Sequence, residues 1–316
     1  MTQTTVPVID LSPYRSGTAS GKQAVAQAVG AAREQIGFLT IVGHGVPEEL
    51  IARTADVSRR FFDLPMEEKL KVRVNAVGVG YVPLQIESLA ASLGKQTPGD
   101  LKESLNTGLD FSHDRWPAEP AELRAIYINY FETLNQLATM IMRIFALALD
   151  LPEHYFDDKI DNPLAFMRVI NYPDQPDDPL PGQLRAGEHT DYGTLTILRP
   201  ENVPGGLQVR NRAGEWLDVA TVPGSFVINI GDAMQYWTND RWISTVHRVM
   251  NPPRDKSVGS RRQSIVFFHT PNDDTLISCL ESCCSAENPP RYAPVLAGEH
   301  LRRKSAQAGT LDKPAM

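Results

Sequence analysis

Beyond Pro152 the chain breaks into short β-forming runs: Leu164–Tyr172, Gly193–Leu198, Gly206–Val209, Trp216–Val219, Ser225–Ile230, Ser244–Met250 and Gln263–His269. Pro, Gly, Asn and Asp punctuate them, as in Pro204-Gly205-Gly206 and Asn211-Arg212-Ala213-Gly214. Strands this short, with turn signals at roughly ten-residue spacing, bury their apolar faces by closing on one another. A sandwich or a jelly-roll barrel is the expected outcome.

The first half has a different texture. An alanine-rich helix is expected from Gly21 to Ile36, stopped by Gly37, then a strand Phe38-Leu39-Thr40-Ile41-Val42 running into Gly43-His44-Gly45. Pro47 opens a second helix through Phe62, where its missing N–H costs nothing, and Pro65 starts a short turn, Met66 to Lys69. Residues 75–117 read as irregular, punctuated by glycine and proline. From Pro120 to Leu149 the apolar residues Leu123, Ile126, Tyr130, Leu134, Leu137 and Ile141 step by three or four, the stripe of a buried helix. Ala297 to Gln307 reads as a closing helix. The expected division is an N-terminal helical and strand region, residues 1–117, followed by the long helix and barrel, residues 118–316, as one structural unit.

Composition excludes several function classes. With 31 basic against 38 acidic residues the net charge is −7, which disfavours nucleic acid or an anionic membrane as partner. Ala138 to Leu151 is the most apolar long stretch, but Arg143 interrupts it and it is too short to span a bilayer. Cys279, Cys283 and Cys284 are odd in number and clustered, so a reducing compartment is expected. No basic, apolar leader opens the chain, and the expected location is the cytoplasm. Nothing in the sequence points to an obligate protein partner.

Phosphate-binding glycine loops, a nucleophile elbow and a His-Glu-x-x-His helix are all absent, which directs attention to the seven histidines. His189 and Asp191 form the chain's only His-x-Asp, where a turn between Gly187 and Gly193 feeds a strand. At a strand edge, residues two apart point the same way, so imidazole and carboxylate can share one ion. His247, on the run Ser244–Met250, is the natural third ligand. Two imidazoles and a carboxylate describe the facial triad of non-haem Fe(II) oxygenases, whereas structural zinc wants four ligands richer in thiolate. The bland reading is two ordinary polar barrel histidines. Arg262 and Ser264 weigh against it: two apart on one strand, they offer a guanidinium fork and a hydroxyl to a carboxylate.

With these residues assembled, the chain resembles the isopenicillin N synthase-like branch of the Fe(II)- and 2-oxoglutarate-dependent oxygenases. The resemblance covers nearly the whole chain. It runs through Val6-Pro7-Val8-Ile9-Asp10-Leu11, Gly37-Phe38-Leu39, Gly43-His44-Gly45-Val46 and Asp100-Leu101-Lys102-Glu103-Ser104. Asn171-Tyr172-Pro173, His189-Thr190-Asp191-Tyr192-Gly193, Asn229-Ile230-Gly231-Asp232, Asn239-Asp240-Arg241-Trp242 and His247-Arg248-Val249 follow in the family's order. One departure is that the family often shows Asn-Tyr-Tyr-Pro where this chain has a single tyrosine.

The resemblance implies an α+β fold, a double-stranded β-helix (jelly roll) flanked by helices. It implies Fe(II) on His189, Asp191 and His247, and 2-oxoglutarate on Arg262 and Ser264 with Tyr172 assisting. O2 and a small-molecule substrate complete the reaction, which releases succinate and CO2 and hydroxylates, desaturates or cyclises the substrate, as in secondary metabolism. The alternative is an iron oxidase of the isopenicillin N synthase type that uses no 2-oxoglutarate; a catalytically silent binding protein on the same barrel is a third. Candidates for the substrate pocket are Tyr81, Leu84, Gln85, Arg168, Phe268 and His269. For Arg168 the choice is between a substrate carboxylate, as in antibiotic-pathway relatives, and a structural salt bridge. His44 belongs to an N-terminal structural signature, and His113, His154 and His300 are expected at the surface.

Overall fold

The computed structural model describes residues 5–108, 111 and 115–307, so His113 lies outside the described residues. The N-terminal part supplies strands β1 (Val8–Asp10), β2 (Phe38–Val42), β3 (Gly80–Val82) and β4 (Glu103–Thr107). Its helices are α1 (Ser12–Arg15), α2 (Ala19–Gln35), α3 (Glu48–Phe62) and α4 (Met66–Leu70), followed by the long α5 (Leu123–Ala148). The barrel run then gives β5 (Phe166–Tyr172), β6 (Ala186–His189), β7 (Leu195–Arg199), β8 (Leu207–Arg210) and β9 (Trp216–Asp218). It continues with β10 (Phe226–Ile230), α6 (Asp232–Trp237), β11 (His247–Val249) and β12 (Arg262–His269), and α7 (Ala297–Gln307) closes the described chain.

Two sheets form. The larger runs β1-β2-β10-β7-β12-β5-β4-β3, the smaller β6-β11-β8-β9. Apart from the parallel β1–β2 pair, the ladders of these two sheets are antiparallel. The large sheet has two covered faces. On one, α5 lays its buried stripe: Leu134, Leu137 and Ile141 join the main core, and Phe131 meets Phe267 of β12 edge to face at 5.0 Å. On the other face Phe38 and Val227 pack against Leu207 and Val209 of the small sheet. This is the expected jelly roll with helices outside. No helix among the described residues is long and apolar enough to cross a membrane.

The differences from expectation have physical reasons. The stretch read as irregular holds β3, β4 and a 3₁₀ turn over Leu89–Leu93. β4, Glu-Ser-Leu-Asn-Thr, is buried at every position, so it lacks the apolar–polar alternation that marks a strand in sequence. Its buried Glu103 is satisfied by Lys69 at 2.9 Å and Asn171 at 2.8 Å, partners far off in the chain. The strand β6, Ala-Gly-Glu-His, has little strand propensity of its own and exists through pairing with β11.

Candidate metal and co-substrate site

A cavity of about 430 Å³ opens between the two sheets. His189 ends β6, and His247 begins β11 directly opposite it in register, so the two rings stand 4.2 Å apart at centroid. Asp191 lies in the turn leaving β6 rather than on the strand, so its approach to His189 comes from the turn and not from strand alternation. Asp191 Oδ1 sits 4.0 Å from His189 Nε2 and 3.8 Å from His247 Nε2.

Each donor is oriented from behind. His189 Nδ1 bonds Gly187 O at 2.8 Å and His247 Nδ1 bonds Thr245 O at 3.0 Å. A carbonyl only accepts, so Nδ1 carries a proton on both rings and Nε2 is the nitrogen that each ring turns inward. Burial, and then the neighbouring His247, hold the His189 imidazole well below its ordinary pKa, which keeps it neutral. Burial alone would raise the Asp191 carboxyl. The imidazoles of His247 and His189, with hydrogen bonds from Thr196 and Asn229, outweigh it and keep the group ionised. Those bonds go to the outer oxygen, Oδ2, at 2.5 and 2.6 Å, leaving Oδ1 to face the histidines. Thr196 and Asn229 are themselves paired across β7 and β10.

The turn needs close backbone approach. The Asp232 N–H donates to Asp191 O at 2.9 Å, and a Cβ on Gly231 would lie 2.5 Å from Gly193 O. Only glycine fits there. His189, Asp191 and His247 are the group of His, Cys, Asp and Glu side chains, among the described residues, whose donor atoms gather within 4.8 Å. Two imidazole nitrogens and one carboxylate oxygen on one side are a fit for a divalent iron with open positions.

A second polar feature lines the same cavity. Arg262 is 2% exposed; its Nη1 donates to Gly205 O at 2.9 Å, and its Nε has no hydrogen-bond partner. Among the described residues no carboxylate forms a salt bridge with it, Glu201 acting only at longer range, and burial pushes its pKa down. A buried guanidinium with no ion-pair partner is a site for an anion. Ser264 and Tyr172 line the same cavity, and the guanidinium lies 5.4 Å from the Tyr172 ring centre. The donor set suits a dicarboxylate such as 2-oxoglutarate.

The remaining expected residues divide by strand alternation. Arg168 and Phe268 line the cavity, but His269 does not. On β12 the residues Arg262, Ser264, Val266 and Phe268 face the cavity, so His269 points to the opposite side, fully buried, with Nδ1 2.9 Å from the Thr194 hydroxyl. Burial holds its imidazole down to about 4. Tyr81 likewise points away, its hydroxyl bonded to Glu103, while Val82 faces in. Leu84 and Gln85 do not line the cavity; Ile86 and Glu87 do. His44 bonds Gly224 O at 2.9 Å, away from the triad's donor group. His154 is exposed beside Asp157, but His300, expected at the surface, is fully buried against Tyr236 because α7 docks that face inward. Sequence reasoning missed Thr196, Asn229 and Glu87 as individual groups. The Asn229-Ile230-Gly231-Asp232 motif carried the signal for the second of them.

Asn229→Ala removes one of the two bonds that aim Asp191. Iron affinity should fall by about 10–100-fold while the fold persists, measured as Fe(II) retained after dialysis against a chelator series.

Residues 6–125 match the family described as non-haem dioxygenase in morphine synthesis N-terminal, and residues 164–271 match the 2OG-Fe(II) oxygenase superfamily. The 2-oxoglutarate-Fe(II) type oxidoreductase hxnY of Emericella nidulans is 35% identical over 96% of this chain and 90% of its own length. Homoarginine-6-hydroxylase of Glycine max is 32% identical, covering 95% of this chain and 96% of that one. The full-length Neurospora crassa protein solved with alpha-KG and thymine superposes with a TM-score of 0.86 at 30% identity, covering 96% of this chain and 97% of that one.

Proposed function

Because the chain belongs to the 2OG-Fe(II) oxygenase superfamily, and so is a dioxygenase that works with Fe(II), 2-oxoglutarate and O2, we propose which residues do the work. His189, Asp191 and His247 hold the iron; Arg262, Ser264 and Tyr172 hold the far carboxylate of 2-oxoglutarate. The observation that carries this reading is the shared cavity: three inward donor atoms and one buried guanidinium, with no salt-bridge partner among the described residues, line the same space.

With both bound, iron and 2-oxoglutarate would supply the reduction of O2, in which the keto acid is oxidised to succinate and CO2 and the substrate is oxidised by the second oxygen atom. The protein's own contribution is positional. Backbone carbonyls fix the histidine tautomers, Thr196 and Asn229 aim Asp191, and Arg262 sets the depth of the dicarboxylate. Arg168 and Phe268 line the same cavity and stand where a small-molecule substrate would lie. Neither nucleic acid nor a membrane is part of this reading. The three cysteines are free thiols, which supports a reducing, cytoplasmic setting.

The test is succinate formed from 2-oxoglutarate with Fe(II) and ascorbate, read over a small-molecule panel. Succinate above the substrate-free rate, lost on omitting Fe(II), is expected; none under any condition would overturn the reading.

A further inference from the structure

The substrate end of the cavity poses a question of charge. Its wall is largely apolar, with Val74, Val82, Ile86, Leu164, Phe166 and Phe268. Apart from the triad and Arg262, the charged residues on it among the described residues are Glu87, Arg168 and Arg302. Arg302 is mostly exposed and already paired with Asp273 at 2.6 Å, so it belongs to the rim.

Arg168 has a partner of its own. Its Nη1 and Nη2 hold Glu87 Oε2 and Oε1 at 3.0 and 3.2 Å, the two-pronged grip a substrate carboxylate would otherwise take. Lys102 Nζ adds a bond to Glu87 Oε2 at 2.5 Å and lies 3.9 Å from Asp100. Two cations therefore face two carboxylates. Burial alone would raise the Glu87 carboxyl, but Arg168 and Lys102 outweigh it and hold the group down to about 2. Glu87 is thus ionised at any working pH. The loaded iron centre balances too: Fe(II) and Arg262 offset Asp191 and a doubly charged 2-oxoglutarate.

An anionic substrate reaching Arg168 would sit beside the Glu87 carboxylate, and a cationic one reaching Glu87 would meet Arg168 and Lys102. Each carries a like-charge penalty in a partly dry site. What the pair still offers is an N–H on each terminal nitrogen beside Glu87 Oε1, which takes one bond in the structure. We propose that the substrate is a neutral small molecule with an apolar body and an adjoining hydrogen-bond donor and acceptor, as in an amide, that docks on the Glu87–Arg168 pair. This rests on the placement of iron and 2-oxoglutarate proposed above.

Three probes of one shape and different charge test it: benzamide, benzoate and benzamidinium. Each is titrated by calorimetry into the anaerobic Fe(II)-loaded protein after 2-oxoglutarate. Benzamide should bind at least about tenfold tighter than either ion. In Glu87→Gln the grip on Arg168 loosens, and benzoate should gain about tenfold or more relative to benzamide. Benzoate or benzamidinium binding tightest to the wild type overturns the proposal, as does failure of all three to bind. The wild-type ranking decides the matter even where Glu87→Gln does not fold. Failure of 2-oxoglutarate itself to bind sinks the functional reading separately, and the ranking is then taken on the metal-free protein.

Discussion

His247→Ala and Asp191→Ala are expected to lose both bound Fe(II) and turnover while keeping the wild-type melting profile. The proposed site has only three protein donors, so removing one leaves two, and a two-ligand site does not hold iron against a chelator. The loss should exceed the roughly 100-fold that removal of an outer hydrogen-bond partner costs. The fold should survive because both side chains face a cavity rather than the apolar core. His44→Ala is the control. His44 is also buried, but it ties Gly224 O and the Val46 N–H to the β1–β2 end of the sheet, so iron should be retained. Iron content by metal analysis and succinate yield check both proteins. Wild-type iron in His247→Ala would mean that the ligand set is wrong.

Arg262→Leu should raise the 2-oxoglutarate requirement by roughly one to three orders of magnitude. Losing the partner of a buried carboxylate costs about 2–5 kcal/mol, at about 1.4 kcal/mol per decade of affinity. Arg262 is the group on which such a loss concentrates, since among the described residues no carboxylate shares its charge by a salt bridge and its Nε has no hydrogen-bond partner. Pyruvate, which lacks the distal carboxylate, should be a poor co-substrate for the wild type and lose far less in the variant. Melting temperature without 2-oxoglutarate should not fall, because leucine replaces a buried cation that no salt bridge among the described residues offsets. Titrating both keto acids into both proteins under anaerobic Fe(II) settles the outcome. Normal 2-oxoglutarate binding in Arg262→Leu, with loss of substrate instead, would assign the guanidinium to the substrate.

Part of the substrate wall could have been read by alternation alone. Phe268 and His269 were expected together in the pocket, yet neighbours on a strand face opposite ways, and Arg262 and Ser264 fix the inward set as the even-numbered residues. The same rule separates Val82 from Tyr81. Other features left no local trace. β4 is polar by composition and buried by context, and His300 sits in a polar, exposed-looking helix whose packing against Tyr236 follows from where α7 docks.

The sequence by itself determined the directions of side chains within each element. It set the apolar stripe of α5, the shared face of Arg262 and Ser264, and the turns that separate the strands. Periodicity is local, so it needs no knowledge of neighbours. Tertiary structure decided what stands opposite what. It brought His247 into register with His189, set Thr196 and Asn229 behind Asp191, and gave Arg168 a protein carboxylate 81 residues away in Glu87. Such pairings depend on which strands close the barrel and in which register. Loop closure and packing of the whole chain fix that jointly, and no window of the sequence contains it.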